Sequence, residues 1–315
     1  MTTTIHQPLR SLLSGLIDYA GLFPPAKLAM QPAIDNFARY VRSEHAWMLG
    51  RFICTVSRLP EFSEKAAIQL PGTYATSGYR EHADDLEPWK LSVVADRPLE
   101  ECLDEIDAFN EHHAHEDHGL AKVDMIEMRV SEVGEIDEAL DELPEDLFPF
   151  FEFPIAGDPR GFVAALAGDS AAAKIRCGGV TPDLIPPTEA VARFIEACVV
   201  GGVPFKATAG LHHPIRAEYP LSYEPDAQRG RMHGFLNVFL AAALARHDGL
   251  RGQELIALLD ESEPSAFEST ADGVRWRGHT VDAVQLAHTR ERNALGYGSC
   301  SFTEPIEDLR SLGML

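Results

Sequence analysis

Six charged side chains of this 315-residue chain sit on short β-favouring runs instead of on its polar stretches. Glu127 and Arg129 stand two apart in Asp124–Val130 (DMIEMRV), as do Lys174 and Arg176 in Ala172–Cys177. Glu152 lies within Phe148–Ile155 (FPFFEFPI), and Lys206 shares its parity with Thr208 in Pro204–Thr208 (PFKAT). Residues two apart on a strand face the same side. If that side were a hydrocarbon layer, each unpaired ion would forfeit several kcal/mol of solvation. The spacing therefore predicts that these groups point into a shared interior, where two carboxylates meet four cations, with Lys90 adding to the excess if it also points inward. Such a pocket selects a small anion: a carboxylate, a phosphate ester or an enolate.

Lysine usage sharpens this. The chain has 21 Arg and only 6 Lys, yet Lys174 and Lys206 both fall on these runs. Arg would supply a fixed charge equally well, whereas Lys alone can shed its proton and act as nucleophile or base. A neighbouring cation such as Arg176, together with desolvation, shifts a lysine in that direction. The chemistry suggested is lyase-like, by a Schiff base, or proton transfer beside a carbonyl. Lys206 would be the nucleophile or base, Lys174 would tune it or exchange roles with it, Glu127 and Glu152 would move protons, and Arg129 and Arg176 would hold the anion. No cofactor and no metal is called for. The competing reading of the same residues is a binding protein whose ion-pair network only holds strands together.

After Lys206 the chain reads KATAGLHHP, then a polar stretch to Gly234 carrying Arg216, Glu218, Arg229 and Arg231. A long irregular loop after a strand is the place for a lid or binding loop. It puts His212 and His213 at the pocket edge, with Thr208 and Asp18 as further substrate contacts. A metal-dependent hydrolase or isomerase, using these histidines with Glu127, Glu152 or Asp18, is the alternative enzyme class. Gly178–Gly179 suits either a phosphate approach or a plain turn. The histidines of NEHHAHEDHG (residues 110–119) read as a solvated helix end, and Cys300 in GSCSF reads as a small buried residue. Five scattered cysteines without a CxxC pair suggest free thiols in a reducing compartment.

The elements that must position these groups alternate short apolar runs with amphipathic segments. Strands are predicted at Arg51–Val56, Lys90–Val94, Asp124–Val130, Phe148–Ile155, Ala172–Cys177 and Pro204–Thr208. Strands within Ala266–Trp276 and Gly296–Phe302 bring the count to the eight that close a (β/α)8 barrel, with an open doubly wound sheet as the alternative. Helical stripes run Leu99, Leu103, Ile106; Ile136, Leu140, Leu143; and Val191, Phe194, Ile195, Cys198, Val199 after Thr188 as N-cap. The chain reads as one barrel domain, with residues 1–48 as a helical extension around Asp18–Ala26 (DYAGLFPPA). A net charge of −22 argues against nucleic acid and membrane surfaces as partners. The composition and the N-terminal segment suggest a cytoplasmic protein, and self-association into a homo-oligomer is left open.

Together, DYAGLFPPA, AKIRCGG, KATAGLHHP and GSCSFTEP resemble an uncharacterised bacterial protein family, a resemblance that spans most of the chain and implies no activity. More loosely, Lys206 in KATAG and Lys174 before CGG resemble the strand lysines of barrel-type class I aldolases. That likeness implies a Schiff base with a carbonyl substrate.

Overall fold

The alternation of short apolar runs and amphipathic segments folds, in a computed structural model that describes residues 5–72 and 87–315, into parallel strands each followed by a helix. The first seven barrel strands are β1 (Ile17–Tyr19), β2 (Leu49–Thr55), β3 (Trp89–Val94), β4 (Ala121–Arg129), β5 (Phe148–Glu152), β6 (Ala172–Arg176) and β7 (Phe205–Thr208). An antiparallel hairpin follows, β8 (Ala217–Pro220) and β9 (Arg229–Met232), and then a small antiparallel sheet of β10 (Phe267–Ser269), β11 (Val274–Trp276) and β12 (His279–Val281). β13 (Ala294–Ser299) enters between β7 and β1 and closes the eight-stranded barrel, an α/β barrel of the TIM type.

The eighth strand differs from expectation. Residues 1–48 are not wholly helical, because Ile17–Tyr19 is β1, and the Ala266–Trp276 segment lies in the small sheet outside the barrel. Three residues, all buried, are too few to show a period. The polar stretch after Lys206 is likewise a hairpin with Glu218 facing Arg231 in register, not an irregular loop.

The helices are α1 (Gln7–Leu13), α2 (Met30–Tyr40), α3 (Leu59–Ala66), α4 (Leu99–His113), α5 (Gly134–Glu142), α6 (Arg160–Leu166), α7 (Thr188–Gly201), α8 (Phe235–His247), α9 (Gly252–Leu259), α10 (Ala283–Arg292) and α11 (Thr303–Ser311). α7 buries the predicted stripe and stops at Gly202, which takes the left-handed conformation at φ 67°. Thr188 is its first helical residue, not its cap, and gives its hydroxyl to Asp260. α8 is buried from Phe235 to Ala245 because it is sandwiched between the barrel, where Phe239 meets Phe205, and the small sheet, where it packs on β12. Among the described residues no helix is long and apolar enough to cross a membrane.

α1 is fastened by one cation. Arg290 of α10 is buried and donates to the carbonyls of Leu12 (2.9 Å), Ser14 (3.2 Å) and Ala294, tying the N-terminal helix to the start of β13. Arg290→Met leaves those carbonyls without their donor, and charge-assisted bonds of this kind predict a loss of about 3 kcal/mol. Urea unfolding should show a lower midpoint with an unchanged slope; an unchanged midpoint would mean that other contacts hold α1.

Candidate active site

Strand register brings the charged residues together. Glu152 on β5 aligns with Lys174 on β6, Lys174 with Lys206 on β7, and Lys206 with Gly296 on β13. Two residues further along, Arg176 aligns with Thr208, Thr208 with Gly298, and Gly298 with Asp18 on β1. β13 thus offers glycine at both positions facing this cluster, so no side chain stands between Lys206 and Asp18. A Cβ at Gly298 would come within 3.1 Å of Ile53 Cδ1. Tyr297, between the two glycines, faces the other way and packs on Phe235 and Phe239 of α8 at ring separations of 5.4 and 5.9 Å.

The charges form one alternating chain. Lys206 Nζ lies 2.5 Å from Asp18 Oδ2 and 2.6 Å from Glu127 Oε1. Lys174 Nζ lies 2.9 Å from Glu127 Oε2 and 2.7 Å from Glu152 Oε2. Glu152 Oε1 then meets Arg176 Nε at 3.2 Å and Arg129 Nε at 3.4 Å. Ser92 on β3 donates to Glu127 Oε1 at 2.7 Å, and the backbone N–H of Arg51 donates to Asp18 at 2.6 Å. Burial alone would raise the Glu127 carboxyl, but the two lysines overcome it and hold the group well below the usual carboxylate range. Burial would lower the Lys206 ammonium, but Asp18 and Glu127 hold it above its ordinary value. This runs against the expectation of a lysine softened by cations: Lys206 is 1% exposed, and its two carboxylates favour the ammonium.

Above this chain opens a cavity of about 390 Å³ at the C-terminal ends of the strands. Glu127, Lys174, Arg129, Arg176, Thr208, His212 and His213 line it; Lys206, Asp18 and Glu152 do not. Lys174 is thus the lysine at the cavity, and Lys206 lies among the buried groups beneath. Glu152 Oε2 forms the shorter of the two Lys174 ion pairs, so a carboxylate oxygen stands directly against the amine. Arg176 is half-buried and Arg129 exposed, giving the mouth two cations with freedom to meet a ligand.

The other wall holds a second cluster. His212, buried, has Nδ1 3.2 Å from Glu304 Oε2 and 3.9 Å from Cys300 Sγ. Tyr223, carried in by the β8–β9 hairpin, donates to Glu304 at 3.2 Å and stands 3.6 Å from Cys300. Burial would depress the His212 imidazole, but hydrogen bonds to Cys300 and Glu304 hold it at about 10. Burial would raise the Glu304 carboxyl, but His212, His213 and Tyr223 together hold it below the usual carboxylate value. His213 turns elsewhere, to Asp308 at 2.6 Å, with its ring stacked on Tyr219.

Several expectations are revised by these positions. Lys90 is exposed on β3 and takes no part. Three carboxylates, not two, enter the cluster, because Asp18 joins it from β1; the interior cations are therefore largely neutralised and only the mouth retains positive character. The two histidines pair with Glu304 and Asp308, not with Glu127, Glu152 or Asp18, and the described residues contain no group of three or more His, Cys, Asp or Glu placed to hold a metal ion. Gly178 lies against Gly210, where an added Cβ would stand 2.7 Å from the Gly178 Cα, so the pair serves loop contact. His113 is a core residue bonded to Ser63 and the Gly119 carbonyl, not part of a solvated terminus. Ser92, Tyr223 and Glu304 were not singled out in the sequence; only Glu304, in GSCSFTEP, fell within a noted motif.

Two outcomes follow from these contacts. Lys206→Met leaves Asp18 and Glu127 facing each other's charge in a dry interior, and should cost about 3–5 kcal/mol in denaturant unfolding; adding Asp18→Asn should recover part of that loss, and no recovery would argue against direct pairing. His212, with its folded pKa raised, adds stability in full below the ordinary imidazole value of 6.5, and this is lost as pH rises through about 10. Its ring resonances should therefore stay at their imidazolium positions across the neutral range, and a midpoint near 6.5 would contradict the pairing with Glu304 and Cys300. No protein-family model, curated protein or solved structure matches this chain, so its chemistry has to be read from the geometry of the site itself.

Proposed function

We propose that the protein is a lyase or proton-transfer enzyme for a small anionic carbonyl compound, with Lys174 as the Schiff-base lysine. The observation that carries this reading is that Lys174 is the lysine lining the cavity, with its amine 2.7 Å from a carboxylate oxygen of Glu152. An amine must lose a proton before it can attack, and Glu152 Oε2 is in place to accept it. The amine then adds to the carbonyl carbon, the carbonyl oxygen leaves as water after taking up protons, and the resulting iminium withdraws electrons from the adjacent carbon. A C–C or C–H bond to that carbon can then break, with the electron pair delocalised as an enamine. Arg176 and Arg129 line the cavity and suit the substrate's anionic group. Lys206 has a positioning role in this scheme: as a fixed cation, it holds Glu127 ionised and thereby holds Lys174 at the cavity.

The test is borohydride reduction in the presence of a panel of small 2-oxo acids and phosphorylated aldehydes, with the adduct mapped by mass spectrometry. The expected result is a reduced adduct on Lys174, absent from Lys174→Met and still formed, more slowly by about tenfold or more, in any folded Lys206 variant. An adduct on Lys206, or none with any member of the panel, would refute the assignment of Lys174.

A further inference from the structure

Cys300, one residue beyond β13, is the cysteine among the five that lines the cavity. The others sit where a thiolate is disfavoured: burial pushes the Cys54 and Cys177 thiols up to about 12, that of Cys198 higher still, and that of Cys102 upward. Around Cys300 the surroundings are polar and come from three separate elements. His212 approaches from the loop after β7, Glu304 from α11 and Tyr223 from the β8–β9 turn. His212 touches both the sulfur and Glu304 through Nδ1, so one ring nitrogen carries a proton that the carboxylate orients and the sulfur can share. A cysteine beside a cationic histidine held by a carboxylate is the arrangement that presents sulfur as a nucleophile.

We propose that Cys300 is a second nucleophile of this cavity, assisted by His212 and Glu304, which adds reversibly to the carbonyl carbon of a small aldehyde entering the mouth. The sulfur attacks as the thiolate of a thiolate–imidazolium pair, its own proton already on His212: it forms the new S–C bond, the carbonyl π pair moves onto oxygen, and that oxygen takes the proton from His212. A neutral hemithioacetal and a neutral imidazole result. No oxidant, leaving group or cofactor is required, and expulsion of the aldehyde returns the proton along the same path. Tyr223 and Glu304 remain hydrogen-bonded to each other throughout. The inference is independent of Lys174, because it uses the opposite cluster of side chains and a different bond.

Two measurements test it. Substoichiometric labelling with iodoacetamide at about pH 7, mapped by peptide mass spectrometry, should modify Cys300 at least tenfold faster than Cys54, Cys102, Cys177 or Cys198. His212→Asn should remove most of that advantage while the circular dichroism spectrum is retained. Glycolaldehyde isotope-labelled at its carbonyl carbon, followed by carbon NMR, should give a hemithioacetal resonance with the wild-type protein and none with Cys300→Ser; an imine at Lys174 resonates far downfield and is read separately. Cys300 labelling no faster than the other cysteines would overturn the nucleophile, and a hemithioacetal signal that is absent from wild type or persists in Cys300→Ser would overturn the aldehyde assignment.

Discussion

The barrel interior depends on one buried carboxylate held between two ammonium groups. Glu127 gives one oxygen to Lys206 and the other to Lys174, with Ser92 completing the coordination of the first. None of these ions could be buried alone, since the desolvation of each exceeds what a single imperfect contact returns. Alternation resolves the difficulty: from Asp18 through Lys206, Glu127, Lys174 and Glu152 to the arginines, every inner charge has an opposite neighbour on each side. Loss of any inner member brings like charges together, so the network behaves as a unit and not as a set of separable pairs.

This arrangement grades the site from floor to mouth. At the floor the groups are enclosed, their protonation states are held by neighbours, and their role is to place others. Lys174 sits at the transition, bonded to the network yet open to the cavity. Arg129 and Arg176 stand further out, where water and salt screen them, so they suit reversible attraction of an anion better than they suit stabilising the fold. The hairpin of β8 and β9 brings Tyr223 over the opposite wall and encloses Cys300 and His212 on a side the lysines do not reach.

Much of this was legible in the residue pattern. Charges of one parity on apolar runs can be tolerated only where they face one another, so Glu127, Glu152, Lys174, Arg176 and Lys206 were identifiable as an interior set before any coordinates. Helix stripes such as Val191–Val199 were equally clear. β1 was not, since three buried residues carry no period, and with it went the position of Asp18 on the barrel wall. The pairing of Cys300 with His212 was hidden for another reason: the two are 88 positions apart and meet only because β13 lies beside β7.

The amino-acid sequence by itself determined the barrel class and the parity of the charges on its strands, because these depend on local periodicity and on the cost of burying an ion. Tertiary structure decided which lysine reaches the cavity, how the excess of cations is neutralised and which thiol lies beside an imidazole. Those outcomes depend on register and strand order around a closed sheet, where a shift of one residue turns a side chain from the interior to the helix layer, and no local pattern along the chain encodes that neighbourhood.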